Sequence, residues 1–146
     1  MTTPSEADGA GHARYTYRLR VSSSAGAGLL AEWARCRWVW NECVAKSKVV
    51  HLHNKTTGQE GDKRTCGPAQ LDRMLTGARA RTPWLREGSS VVQQQLIRDF
   101  GRSRAKAHKD IREGVPQRQR AGMPGWKKKR EALPTLNYTR RGFRLK

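Results

Sequence analysis

From Tyr15 to Val21 apolar and polar positions alternate: Tyr15, Tyr17, Leu19 and Val21 fall on one side, and Thr16, Arg18 and Arg20 on the other. A period of two predicts a half-buried strand, here with a basic outer face. The period then changes. Leu29, Trp33, Cys36, Trp40 and Cys43 recur at spacings of four, three, four and three, and Leu30 and Val44 widen that face. This predicts a helix from about Ser24 to Lys48, capped by one of Ser22, Ser23 or Ser24. From His51 to Gly67 the pattern dissolves into Gly, Thr and charge, which reads as a long loop. Pro68 opens a short helix with Leu71, Met74 and Leu75 on one side. Ser89 or Ser90 then caps a third helix, whose buried face is Val91, Val92, Leu96, Ile97, Phe100 and Ala107 and which ends near Gly114.

Two prolines and three glycines between Gly114 and Trp126 exclude regular structure there. Thr135–Thr139 and Gly142–Leu145 read as a pair of strands around Arg140-Arg141-Gly142. The order strand, three helices, strand pair predicts an α+β fold. It would be a small β-sheet, a partial barrel, with an inserted three-helix bundle of helix-turn-helix type. The expected units are a disordered tail (1–13), a first strand (14–22), a helical insertion (23–115, with the 51–67 loop), and a basic loop leading into a truncated returning β-domain (116–146).

Charge adds a partner to this outline. The 146 residues hold 30 Lys and Arg against 12 Asp and Glu, a net +18, with only 36% hydrophobic residues. A compact state of that charge repels itself unless a polyanion neutralises it, and nucleic acid is the polyanion that Lys and Arg contact with release of counterions. Residues 86–146 carry 17 Lys/Arg and 5 Asp/Glu, a net +12, and so form the half expected to face phosphates. A membrane surface is the weaker alternative, since no long amphipathic stripe supports it. No apolar run reaches transmembrane length, and no signal-peptide pattern opens the chain, so a cytoplasmic location is expected. Cys36, Cys43 and Cys66 read as reduced thiols.

The candidate contacts follow from local pattern. In "ARCRWVWNECV", Arg37 and Asn41 lie four apart on one helix face, where they can reach a backbone or base edge, while Trp38 and Trp40 can simply pack a bundle. Trp126 precedes the run Lys127, Lys128, Lys129, Arg130; phosphate contact is the reading for the cations, and base stacking and core packing are the two readings for the ring. Arg98, Arg102, Lys106 and Lys109 form a stripe opposite the apolar face of the third helix, with few acidic residues near to pair them. Arg18, Arg20, Arg140 and Arg141 complete the set. His51, His53, Cys43 and Cys66 lack zinc spacing, no paired carboxylates suggest a two-metal nuclease, and no Gly-rich phosphate loop is present, so no cofactor, metal or catalytic residue is expected.

Four segments in order resemble the N-terminal part of the TnpB (OrfB) proteins of insertion sequences, RNA-guided DNA endonucleases related to the type V CRISPR effectors. "YTYRLRV" is similar to the opening strand of that family, and "CRWVWNECV" to its Cys-Ala-Arg-Phe-Val-Tyr-Asn helix. "TPWLREGSSVVQQQLIRDFGRSRAKAH" is similar to its Pro-Trp-Leu segment and following helix, and "GMPGWKKKREALPTLNYTRRGFRLK" to its Lys-Lys-Lys segment and Tyr-Thr strand. Trp38, Trp40, Gly125-Trp126 and the Gly-rich 51–67 stretch depart from the family pattern. The resemblance implies a wedge-like β-domain with a helical insertion that grips guide RNA and target DNA and helps read the motif beside the target. It also implies a fragment without catalysis of its own, because the RuvC-like nuclease and zinc ribbon of the family, with their metals, have no counterpart in this sequence. The alternative reading is a stand-alone helix-turn-helix regulator, against which the 51–67 loop argues.

Overall fold

The computed structural model describes residues 11–57, 59–132 and 134–144. Four helices carry the fold: α1 (Ser23–Thr57), α2 (Pro68–Arg81), the single turn α3 (Pro83–Arg86) and α4 (Ser90–Arg112). Short 3₁₀ turns occupy Glu60–Asp62 and Gln117–Gln119. Among the described residues there is no strand, so the expected α+β fold and its β-sheet are replaced by an all-helical one. The 1–13 tail lies outside the described residues up to residue 10, as does Leu145 of the second expected strand.

The alternation at the C-terminal end has another cause. Period two reports burial on one side, and a helical surface can supply that burial as well as a sheet can. Leu136 and Tyr138 pack against Trp33, Cys36 and Val92, while Thr135 and Asn137 stay exposed. The expected 135–139 strand is therefore an extended strap lying on α1 and α4, without a ladder partner. The Tyr15–Val21 segment is likewise irregular, and all of its residues are exposed.

Helix α1 starts where the serines suggested, with the Ser22 Oγ accepting the Ala25 N–H at 3.2 Å. It runs nine residues past the expected end at Lys48, to Thr57. His51–Thr57 has modest helix propensity, which tertiary contacts override. Val50 is buried in the core, and the next turn holds down the following loop. Asn54 accepts the Arg64 N–H at 2.7 Å and donates to the Arg64 carbonyl at 2.8 Å, and the His53 Nε2–H donates to the Asp62 carbonyl at 2.9 Å. The shortened connection is thus tied to the helix it leaves.

The core lies where α1 and α2 pack on α4. Val39, Cys43, Val44, Leu71, Leu75, Leu85, Ile97 and Phe100 form it, with the Trp40 and Phe100 rings edge to face at 5.2 Å. The α2–α3–α4 corner is fixed by a buried polar network. Arg79 Nη1 donates to the Leu85 carbonyl at 3.0 Å and to Gln93 Oε1 at 2.7 Å, and Gln93 Nε2 donates to the same carbonyl at 3.1 Å. Glu32 of α1 accepts the Ser89 N–H at 3.0 Å, so an acidic group from another helix sits at the α4 N-terminus. Ser89 is the N-cap as expected, but its own side chain makes no capping bond. Gly88 leaves room for this network: a Cβ would meet Arg35 Cδ at 2.5 Å and Gln93 Nε2 at 2.9 Å, and those side chains would have to shift.

Candidate nucleic-acid interface

The strap, residues 121–142, is held to the helices at several points. At its start the Asp110 carboxylate, almost fully buried, accepts the Ala121 N–H at 2.7 Å and the Lys106 ammonium at 2.7 Å. These two donors hold Asp110 below the ordinary carboxylate range, the Ala121 amide being the larger cause. Further on, Trp40 Nε1–H donates to the Gly125 carbonyl at 2.7 Å. The next residue of α1, Asn41, accepts the Lys127 N–H at 2.8 Å and donates to the Lys127 carbonyl at 3.2 Å. Asn137 Nδ2 donates to Asp99 Oδ2 at 2.7 Å.

These bonds decide which cations face out. The Lys127 ammonium lies 4.4 Å from the Trp40 ring centroid and 5.8 Å from that of Trp33, an inward cation–π contact. It lines a cavity of about 230 Å³ with Trp33, Trp40, Leu96 and Asp99. Lys128, Lys129 and Arg130 are exposed. Lys128 meets Glu131 at 3.4 Å across solvent, a weak pair that another anion can replace, and among the described residues Lys129 and Arg130 have no ion pair. The four-cation run is therefore one inward anchor and three outward charges. Trp126 stands 51% exposed, with the Lys48 ammonium 4.8 Å from its ring centroid.

Other expected contacts fare differently. Asn41 spends its amide on the Lys127 backbone, so the two groups with which it would read a base edge are engaged. Arg37 is half-buried on α1. The α4 stripe is exposed, but it is not free of acidic partners: Arg102 meets Asp99 at 3.1 Å, Lys106 meets Asp110 at 2.7 Å and Lys109 approaches Glu113 at 3.8 Å. Spacings of three and four put these three cations beside a carboxylate, which the overall scarcity of acids concealed. Arg98 instead lines a separate groove with Arg79, Ser90 and Gln94. Arg18 and Arg20 are exposed on the irregular N-terminal segment, with Arg20 bordering a shallow groove shared with Leu29, Arg35 and Tyr138. Arg140 and Arg141 are exposed on a turn closed by the Gly142 N–H to the Thr139 carbonyl at 2.8 Å.

The structure does not gather these residues into one patch by direct contact; it organises the strap run. The residues that organise it, Trp40, Asn41 and Asp110, were legible only as bundle or solvent-facing groups. No spacing rule links a helical asparagine to a backbone 86 positions away. Among the described residues no cluster of His, Cys, Asp or Glu is suited to hold a metal ion, and no helix is long and apolar enough to cross a membrane. No family model matches the chain, and neither a curated protein nor a solved structure matches it.

Proposed function

We propose that this chain is a nucleic-acid-binding module that uses the strap as its phosphate-contacting surface. The observation that carries the reading is the outward trio Lys128, Lys129 and Arg130 on a backbone that Trp40 and Asn41 hold to α1. A row of cations that starts from the anchored Lys127 backbone can meet a phosphate backbone, and its neutralisation relieves part of the +18 net charge. Arg18, Arg20, Arg98, Arg140 and Arg141 supply further exposed positive charge elsewhere on the chain. The reading gives the chain no catalytic step.

The narrower reading, a grip on guide RNA and target DNA in a TnpB-like protein, rests on the four sequence segments alone. The helix-turn-helix alternative has less support. Of the outer cations of α4 that would enter a groove, Lys106 is held by the buried Asp110 carboxylate, and Arg102 and Lys109 lie beside Asp99 and Glu113 in exposed pairs. Equilibrium titration of the protein with labelled nucleic acid over a range of salt tests the proposal. With about six phosphate contacts, log K against log salt falls with a slope near −4 to −5. Binding that is absent at low salt, or that ignores salt, overturns it.

A further inference from the structure

Trp126 stands two residues before Lys128, the first of the outward trio. Trp126 lies between two residues whose main chains are both bonded to α1, Gly125 through its carbonyl and Lys127 through both its N–H and its carbonyl. Lys127 turns inward over Trp40, and its neighbours Trp126 and Lys128 are left exposed. The Trp126 ring is thus half exposed on a backbone bonded to α1 on either side of it, with the Lys48 ammonium 4.8 Å from its centroid as a further cation beside it. Trp33, by contrast, is 7% exposed and serves the core, whereas Trp126 is 51% exposed. A duplex hides the faces of its bases, and the trio alone would serve it. An unpaired strand offers both phosphates and base faces, and an exposed indole in a cationic setting matches both. Building on the nucleic-acid reading above, we propose that the strap binds an unpaired polynucleotide segment, with one base stacked on Trp126 and the adjoining phosphates on Lys128, Lys129 and Arg130. The shared chemistry is an unpaired base on a phosphodiester backbone, whether ribose or deoxyribose.

The test compares wild type, W126L and W126F in anisotropy titrations against oligothymidylate, oligouridylate, an abasic strand of equal length and a duplex, all at one salt concentration. W126L is expected to bind the two homopolymers roughly tenfold more weakly, with W126F recovering most of the loss because it keeps a ring to stack on. Affinities for the abasic strand and the duplex should not change, and their constancy also reads out an intact strap. A loss with either homopolymer supports the inference, and the larger loss names the sugar. If W126L binds both homopolymers as wild type does, or loses the duplex as much as the single strands, the stacking role is overturned while nucleic-acid binding stands. If wild type binds none of the four ligands in a salt-dependent way, the nucleic-acid reading falls and this inference falls with it.

Discussion

Asn41 holds Lys127 by both main-chain groups, accepting its N–H at 2.8 Å and donating to its carbonyl at 3.2 Å. One helical amide thereby does for the strap what a neighbouring strand would do in a sheet. It satisfies the backbone and sets which side chains face away. Asn54 repeats the arrangement at Arg64, thirteen residues further along the same helix.

Asn41→Ala should therefore act on binding without removing a contact to the ligand. The loss of two hydrogen bonds is expected to cost about 1–2 kcal/mol of stability. Amide exchange at Lys127 should accelerate. Affinity for nucleic acid should fall with the salt slope unchanged, because no phosphate-contacting cation is lost. A changed slope, with Lys127 exchange as slow as in wild type, would show that the amide is not what holds the strap.

The strap also predicts a pH response at its start. Asp110 is held below the ordinary carboxylate range by the Ala121 amide and then by Lys106. A group whose pKa is lower in the folded state stabilises the fold above its unfolded value, near 4, and that contribution is lost as pH falls through the folded value. Acid titration followed by exchange at the Ala121 N–H should show loosening only below about pH 4. Asp110→Asn should show that loosening at neutral pH and a flatter acid response. Equal Ala121 exchange at pH 3 and pH 7 would contradict this.

Much of the helical frame was readable from the sequence. Pro68 opens α2, Ser89 holds the N-cap position of α4 without a side-chain capping bond, and Val92, Ile97, Phe100 and Ala107 are buried as their spacing required. Sequence periodicity failed at the C-terminal end because Leu136 and Tyr138 alternate with polar residues while lying on helices, and alternation does not name the surface beneath it; at Tyr15–Val21 the alternation corresponds to no burial at all. The end of α1 was misplaced because His53 and Asn54, weak helix formers, are kept helical by the loop backbone they bind. Within the candidate site, the charge of the 127–130 run was legible but its division was not. The inward turn of Lys127 depends on Trp33 and Trp40, some 90 residues away in sequence.

The three thiols should be inert in the folded state. Burial, the largest cause in each case, pushes Cys36 and Cys43 up to about 12 and raises Cys66 as well. The thiolate is the reactive form, so alkylation by iodoacetamide at neutral pH should proceed only as fast as the fold opens, and denaturant should accelerate it at all three sites together. Rapid modification of Cys43 in the native protein would place it outside the core in which it lies, fully buried beside Val39 and Val44.

Whether the three outward cations Lys128, Lys129 and Arg130 meet phosphates is decided by the salt dependence of the triple variant K128Q/K129Q/R130Q. Three lost phosphate contacts should flatten the slope of log K against log salt by about 2 to 3 units, across single strands and duplex alike. K127Q should leave the slope nearly unchanged, since that ammonium lies over Trp40 rather than in solvent. A triple variant with the wild-type slope would contradict the account and place the binding surface elsewhere on the chain.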